Sequence, residues 1–376
     1  MTAMTAPAWT VAPLVLPDSV DSPEAWALHG VARLEHLSEV ATWGHADLHS
    51  PAPTRLTVMR NQTHTEKLAL VATRPPGAEG PTADDVVGVA FLWMEREGNS
   101  HLVQAGLKVH PQALRSGVGT ALVRAVEEAA AERGRTTVIF ETDHVGEPPA
   151  DAPDVVTPPT GAGRIAADAP GVAFARGLGY SLEQGDRFSC LRLQSVDPEL
   201  VDTFLAESRA AAGEDYELVT WLDRCPEEHV EQLASLSTLM TTAVPVAGLD
   251  LVEHVYSVEE IRQSEQASLD AGRRSLVTAV RHRPTGDLVG YSEIVLPADA
   301  PAAAFQEDTL VAPAHRGHRL GMLLKAHNLV ELRALRPGAE RLHTWNAEEN
   351  RHMLSINEAL GFEPVGVVAL WQKKLA

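Results

Sequence analysis

The sequence predicts an α/β fold, with α+β character and a mixed sheet, built as two tandem copies of one domain. Two observations carry that expectation. First, matched segments recur at one offset. "VVGVAFLW" and "LVGYSEIV" hold Gly88 and Gly290, and "VIFET" and "RLHT" end at Thr142 and Thr344. "LKVHPQALRSGVGTALV" and "TLVAPAHRGHRLGMLLK" align Pro111 with Pro313 and Gly119 with Gly321. In every pair the residue numbers differ by 202. One offset kept across strand, turn, helix and next strand marks a duplicated unit. Second, short β-like runs alternate with helical periodicity inside each copy.

The elements follow in order. A first strand is expected at Trp9–Leu16 and again at Tyr216–Leu222, each leading to a helix (Ser22–Val40; Pro226–Thr242). The second copy adds a helix near Ser257–Ala271. A hairpin comes next, in "SLVTAVRHRPTGDLVGYSEIVL", where Pro284, Thr285, Gly286 and Asp287 supply turn chemistry. A third apolar stretch (Leu102–Val109; Phe305–Val311) runs into a glycine-bearing turn and an amphipathic helix. In the first copy Leu122, Val126 and Ala129 share one face of that helix, and Gly134 ends it. A strand, a short helix and a terminal strand close each copy. Here the register changes: Gly179 of "GLGY" and Gly361 of "ALGF" differ by 182, so the first copy carries 20 more residues before this point. They fall in "GEPPADAPDVVTPPTGAG", Gly146–Gly163, whose Pro, Gly and Asp content without periodicity predicts a mobile surface loop. The expected division is therefore a first domain over 1–194, with a loop insertion at about 146–170, a helical linker over 195–214 and a second domain over 215–376.

Composition narrows the function. The 376 residues carry 31 Lys and Arg against 51 Asp and Glu, a net charge of −20, which disfavours nucleic acid and leans toward cationic ligands. The two cysteines, Cys190 and Cys225, lack any CxxC or Cys/His spacing and read as reduced thiols. No window approaches the ~18 apolar residues of a membrane span, and the N-terminal stretch "MTAMTAPAWTVAPLVLP" lacks a leader pattern. The expectation is a cytoplasmic protein, monomeric or homodimeric, without a membrane partner.

Against that acidic background, "HRGHRLGMLLK" (His315–Lys325) crowds basic residues and glycines onto a helix start. A helix start offers unpaired N–H groups and the positive end of the helix dipole, so it suits an anion such as a phosphate. Glycines let the backbone approach a ligand, and Arg316, His318 and Arg319 add charged donors. The blander alternative is a set of solvated basic side chains; a second glycine turn, "RSGVGTA", at the matched position favours the anion site. No GxxxxGK[ST], GxSxG or HExxH motif occurs, and no GxGxxG with a downstream ribose acid. His315 and His318 have no companion ligands in the sequence, so no metal is expected.

Together these segments resemble the GNAT superfamily of N-acetyltransferases in a tandem arrangement. The resemblance rests on "VHPQALRSGVGTAL" and "GLGY" in the first copy, and on "VAPAHRGHRLGMLLK", "TWNAEENRHMLSINEALGF" and "ALWQKKL" in the second. It departs from the family turn at Leu114, where Gln or Arg is usual, and at Arg319, where a glycine is usual. The resemblance implies two GNAT-like acyltransferase domains and acetyl-CoA as cosubstrate. It places the cofactor on Leu310 and Val311 of a splayed strand, on Arg316, Gly317, His318, Arg319, Leu320, Gly321 and Met322 at the helix start, and on Asn346 and Asn350. Asn346, three residues before Glu349, also reads as a helix N-cap with a capping-box partner.

The same resemblance implies that a carboxylate on a neighbouring strand takes the proton of the attacking amine. Glu293 in "GYSEIVL" fits, and the 202 offset maps it onto Phe91, which assigns catalysis to the second copy. Glu307 and Asp308 in "FQEDTLV" are rivals; strict alternation puts them on opposite faces, so at most one is expected to face the cleft. Asn357 stands where the family's acid tyrosine is usual. The expected activity is acetyl-CoA-dependent N-acetylation of a small-molecule primary amine. The alternative is a non-catalytic acyl-CoA-binding or regulatory module with a degenerate transferase fold.

Overall fold

A computed structural model describes residues 9–149, 151–243 and 245–375. Residues 1–8, part of the stretch read above for a leader pattern, lie outside the described residues. The chain forms two compact units, and the division is not a single cut. The first unit holds residues up to Val145, Ala167–Glu183 and the stretch from Ala369; the second holds Gly146–Ala166 and Gln184–Val368.

In the first unit, β1 (Thr10–Pro13), α1 (Trp26–Trp43), α2 (Ala52–Arg60), β2 (Thr65–Thr73), β3 (Val86–Glu95), β4 (Leu102–Val109), α3 (Val118–Glu132) and β5 (Thr137–Val145) follow in order. The strands lie in the order β1-β2-β3-β4-β5, antiparallel except for the parallel pair β4–β5. Val31 and Leu34 of α1 and Met59 of α2 pack on Val71, Val89 and Phe91 of the sheet. Helix α2 was not anticipated; Pro51 and Pro53 flank its start, where a missing N–H costs nothing.

The inserted segment Gly146–Ala166 carries a short antiparallel pair, β6 (Val155–Val156) and β7 (Ile165–Ala166). It is anchored to its own unit, unlike the mobile loop expected: Glu147 accepts ion pairs from Arg164 and Arg187 at 3.1 and 3.2 Å. Then come α4 (Pro170–Gly177) and β8 (Ser181–Arg192).

The second unit continues with α5 (Pro198–Ala212), β9 (Tyr216–Leu222), α6 (Val230–Ala243), α7 (Val258–Asp270), β10 (Arg273–His282) and β11 (Asp287–Pro297). It ends with β12 (Ala303–Val311), α8 (Leu320–Leu335), β13 (Arg341–Ala347), α9 (Arg351–Leu360) and β14 (Glu363–Lys374). Its sheet runs β8-β13-β12-β11-β10-β9. A capping box of Ser257 and Glu260 starts α7, and Gly286 at φ 82° turns the β10–β11 hairpin. Helix α5, read as a linker, packs along α8. Covered by the sheet on one side and α5 on the other, α8 buries even Lys325 and Asn328.

The duplication reappears in backbone geometry. Arg115 and Gly117 before α3 have φ of 63° and 92°; Gly317 and Arg319 before α8 have φ of 88° and 56°. The same two turn positions are left-handed in both copies, with Gly and Arg exchanged between them.

Candidate active site

The second unit opens where β12 leaves β13. The two strands pair only from Ala303 to Phe305, against Arg341 to His343. Beyond that point β12 stays hydrogen-bonded to β11 and its pairing with β13 ends; Thr344 still donates to the Gln306 carbonyl at 3.1 Å, and past it the outer backbone edge of β12 faces the gap. Helix α8 starts at the end of this gap. Leu323 is the first residue whose N–H bonds back, to Arg319, which leaves the N–H groups of Leu320, Gly321 and Met322 free for a ligand. A Cβ on Gly321 would lie 3.2 Å from Ile356, so a side chain would crowd this cradle.

A cavity of about 1010 Å³ follows this path. Of the residues expected to hold a cofactor, Leu310, Val311, Arg316, Gly317, Arg319, Leu320, Gly321, Met322, Asn346 and Asn350 line it. His318 does not; its ring packs on Tyr216, 5.2 Å away, beside His315, whose Nδ1 shares a 3.0 Å hydrogen bond with the Tyr216 hydroxyl. Arg319 contributes to the wall, but its guanidinium turns out to Glu207 on α5 at 3.1 Å. Asn350, not Asn346, caps α9, accepting from the Met353 N–H at 3.3 Å. The capping reading of Asn346 is thus corrected: it lies within β13, four residues too early. Asn357 also lies off the cavity wall, buried, its amide donating to Asn346 at 2.6 Å.

A β-bulge decides which carboxylates meet here. Ser292 pairs with Thr309 and Ile294 with Gln306, so the single residue Glu293 on β11 stands opposite both Glu307 and Asp308 on β12. Strict alternation fails at this point, and both Glu307 and Asp308 line the cavity. That corrects the expectation that only one would. The bulge is held by Gln306, a buried residue unremarked in the sequence, whose amide donates to the Glu293 carbonyl at 2.7 Å and to Ser292 Oγ at 3.1 Å. Ser292 and Thr309 share a hydrogen bond of 2.9 Å, and Asn328 on α8 donates to the Ser292 carbonyl at 3.0 Å.

A second cavity, of about 390 Å³, meets the first at Asp308 and Met240, which border both. Trp221, Tyr256 and Tyr291 give it aromatic walls, and Asp223, Glu265, Glu293 and Asp308 give it four carboxylates. Two of these are already neutralised, Asp223 by Arg274 at 2.6 Å and Glu265 by Arg262 at 2.8 Å. Glu293 and Asp308 have no such cation among the described residues. Burial, then the nearby negative charge of Asp308 and Glu265, raises Glu293 above the usual carboxylate range, against a hydrogen bond from Ser275. Burial also raises Asp308, opposed by the Tyr291 hydroxyl, which donates to it at 2.9 Å. Glu307 is pushed up to about 7, by burial first and then by Glu293 and Asp308. Glu307 and Asp308 are exposed to the cavity by surface area, and it is the protein packed around them that limits their hydration.

One further wall residue is cationic and deep. Lys325 is 2% exposed, its ammonium 5.8 Å from the Phe362 ring, and burial pushes it down to about 7.

The site thus combines a splayed parallel strand pair, free helix-start amides and a carboxylate-walled side pocket. The profile of the Acetyltransferase (GNAT) family matches residues 43–150. The fold of the whole chain matches a tandem GNAT protein from the clavulanic acid biosynthesis pathway, solved without AcCoA, with TM-score 0.74 and 26% identity over 97% of this chain and 98% of that one. The family match covers residues 43–150, and the likeness to a tandem GNAT protein covers nearly the whole chain. A GCN5-related N-acetyltransferase from Sphaerobacter thermophilus shares the fold of this chain at TM-score 0.60 and 14% identity, over 97% and 95% of the two chains. No curated protein matches the sequence. Enzymes of the GNAT family use acyl-CoA, and the tandem type is the one seen here. No helix among the described residues is long and apolar enough to cross a membrane.

Proposed function

We propose that this protein transfers an acetyl group from acetyl-CoA to a primary amine of a small cationic molecule, in its second unit. The observation that carries this reading is the meeting of two cavities at Asp308, one leading from the α8 amides and one walled by carboxylates and aromatics. The free N–H groups of Leu320, Gly321 and Met322 would hold the diphosphate, with Arg316 beside them. The open edge of β12 would take the pantetheine arm by backbone hydrogen bonds. Acetyl-CoA supplies a thioester carbonyl that an amine can attack directly.

The side pocket would hold the amine as an ammonium between Glu293 and Asp308, with Tyr256 and Trp221 alongside. Asp308, at the junction, takes the proton; Glu293 keeps the cation in place and stabilises its charge. Burial raises both carboxyls, and the negative charge of Asp308 raises Glu293 further, which suits a base that must release its proton again. The first unit differs at the matched position, where Phe91 stands in place of Glu293, with Arg55 4.2 Å over its ring. Trp9 also lies 3.5 Å from where a Cβ on Gly117 would be, close over the start of α3.

The test is release of free thiol from acetyl-CoA over a panel of polyamines, aminoglycosides and amino-acid amides, with titration calorimetry to count acetyl-CoA sites. Turnover abolished by Asp308→Asn and reduced by Glu293→Gln, with one binding site, supports the reading. Binding without turnover on any amine would replace it with the regulatory module.

A further inference from the structure

A thiolate leaving the tetrahedral adduct needs a proton or a positive charge, and the residue at the usual tyrosine position, Asn357, is committed to Asn346 and lies off the wall. Four Lys and Arg side chains line the large cavity. Arg316 donates to the Val311 carbonyl at 3.3 Å, Arg319 pairs with Glu207, and Arg351 pairs with Glu348 at 3.1 Å. Lys325 alone has no hydrogen-bond acceptor or ion-pair partner among the described residues, although it is 2% exposed. Leaving a buried ammonium unpartnered is costly unless a ligand completes it.

Its place fits that ligand. Lys325 is four residues beyond Gly321, so about 6 Å along α8 from the free amides. It lines the same cavity as Gln306, Trp345 and Ile356, together with the helix start and the carboxylates of the bulge. We infer that Lys325 is the proton donor to the sulfur that departs when the acyl group moves, an assignment resting on the reading of the site given above. As the amine nitrogen bonds to the acyl carbon and the C–S bond breaks, the electron pair of that bond goes to sulfur. The Lys325 ammonium gives the sulfur a proton and becomes a neutral amine. Asp308 takes one proton from the substrate ammonium before attack; the second leaves the adduct nitrogen to cavity water, solvent returns a proton to Lys325, and Asp308 releases its own, so one proton is given up per turnover.

The charged and titratable groups on the elements around α8 are Arg273, Arg274, Arg281 and His282 on β10, Asp287, Tyr291 and Glu293 on β11, Glu307 and Asp308 on β12, Arg341 and His343 on β13, Arg351, His352 and Glu358 on α9, and Glu199, Asp202, Glu207 and Arg209 on α5. None of them makes an ion pair or hydrogen bond to Lys325, so the charge is open to an incoming anion.

The experiment reads the thiol of bound coenzyme A by its thiolate absorbance during a pH titration, in the wild type and in Lys325→Met and Lys325→Arg. Methionine matches the length and suits the apolar site, so the variant folds; calorimetric binding of coenzyme A confirms it. A cation beside sulfur lowers the pH at which the thiol ionises by roughly one to three units. That lowering should vanish in Lys325→Met and persist in part in Lys325→Arg. With a turned-over amine, kcat should fall about a hundredfold in Lys325→Met while KM for acetyl-CoA holds. The high-pH decline of kcat, set by loss of the Lys325 proton, should disappear with it. Identical thiol titrations in all three proteins, each binding coenzyme A, overturn the inference and leave the transferase reading standing. A lowered thiol in the wild type without turnover on any amine sinks the transferase reading but supports the contact between Lys325 and sulfur. No coenzyme A binding by the wild type overturns both.

Discussion

Replacing Glu307 by Gln should make the protein more stable, and only above a defined pH. The carboxyl moves from 4.5 to about 7 because the protein packed around it limits its hydration, although it opens onto the cavity, and because it faces Glu293 and Asp308. Between those two values the folded chain keeps a proton that the unfolded chain has released. Stability contributed by this group is therefore lost as pH rises from about 4.5 through about 7, and above that the ionised group opposes folding in full. At about 1.4 kcal/mol per tenfold change in proton affinity, the whole move would amount to roughly 3 kcal/mol. Glu307 opens onto cavity water, so screening reduces that to about 1 kcal/mol. Urea unfolding of Glu307→Gln and wild type should then coincide near pH 5 and separate by roughly 0.3–0.5 M in midpoint near pH 8–9, the variant the more resistant. Equal midpoints at high pH, or the same gain at both ends, would show that Glu307 does not sit in a repulsive, water-poor cluster. The bulge that puts it there would then be wrongly placed.

Three other outcomes test neighbouring parts of the site. Gly290→Ala should destabilise the second unit by about 1–3 kcal/mol, because the added Cβ would lie 2.6 Å from the Leu310 carbonyl; thermal unfolding checks it. Gly321→Ala should weaken acetyl-CoA binding in calorimetry while leaving thermal stability within about 1 kcal/mol, since only the tip of Ile356 must yield; unchanged affinity would argue against a diphosphate at these amides. Gln306→Leu should cost about 1–3 kcal/mol in urea unfolding and lower turnover with it, because Ser292, Thr309 and the Glu293 carbonyl lose the donor that bridges them.

Much of the fold was legible because duplication doubles each signal. The strands Leu102–Val109 and Tyr216–Leu222 and the helix Pro198–Ala212 stand where periodicity and Pro placed them. The start of α8 was legible too, because glycines and basic residues at a helix start have a direct electrostatic meaning. The bulge was not, since one extra residue in a strand leaves no mark in a two-residue repeat except a run that breaks it. Gln306 to Thr309 are such a run, four polar residues in a row in an otherwise apolar strand. Read as alternation they separate two carboxylates; read as a bulge they bring both to one face. Lys325 escaped for a related reason. In "GMLLKAHNL" a lysine looks like the polar side of an amphipathic helix, yet Gly321, Lys325, Asn328 and Leu332 form one stripe at helical spacing. With α5 covering the opposite side of α8, that stripe is buried, and two polar residues on it are exceptions that call for a role.

The exchange of Gly and Arg at the two left-handed turn positions shows how the second copy departs from the family turn without losing it. Arg319 takes a conformation that costs a non-glycine residue about 1–2 kcal/mol. Its surface ion pair with Glu207 returns at most about 1 kcal/mol of that. The strain is tolerated because the left-handed turn keeps the Leu320, Gly321 and Met322 amides unbonded at the helix start, whichever residue supplies it. Because the guanidinium points to α5, the side chain stays clear of the path along those amides. An arginine in place of a glycine there is compatible with an intact anion cradle, so the departure from the family pattern is no argument for a lost site.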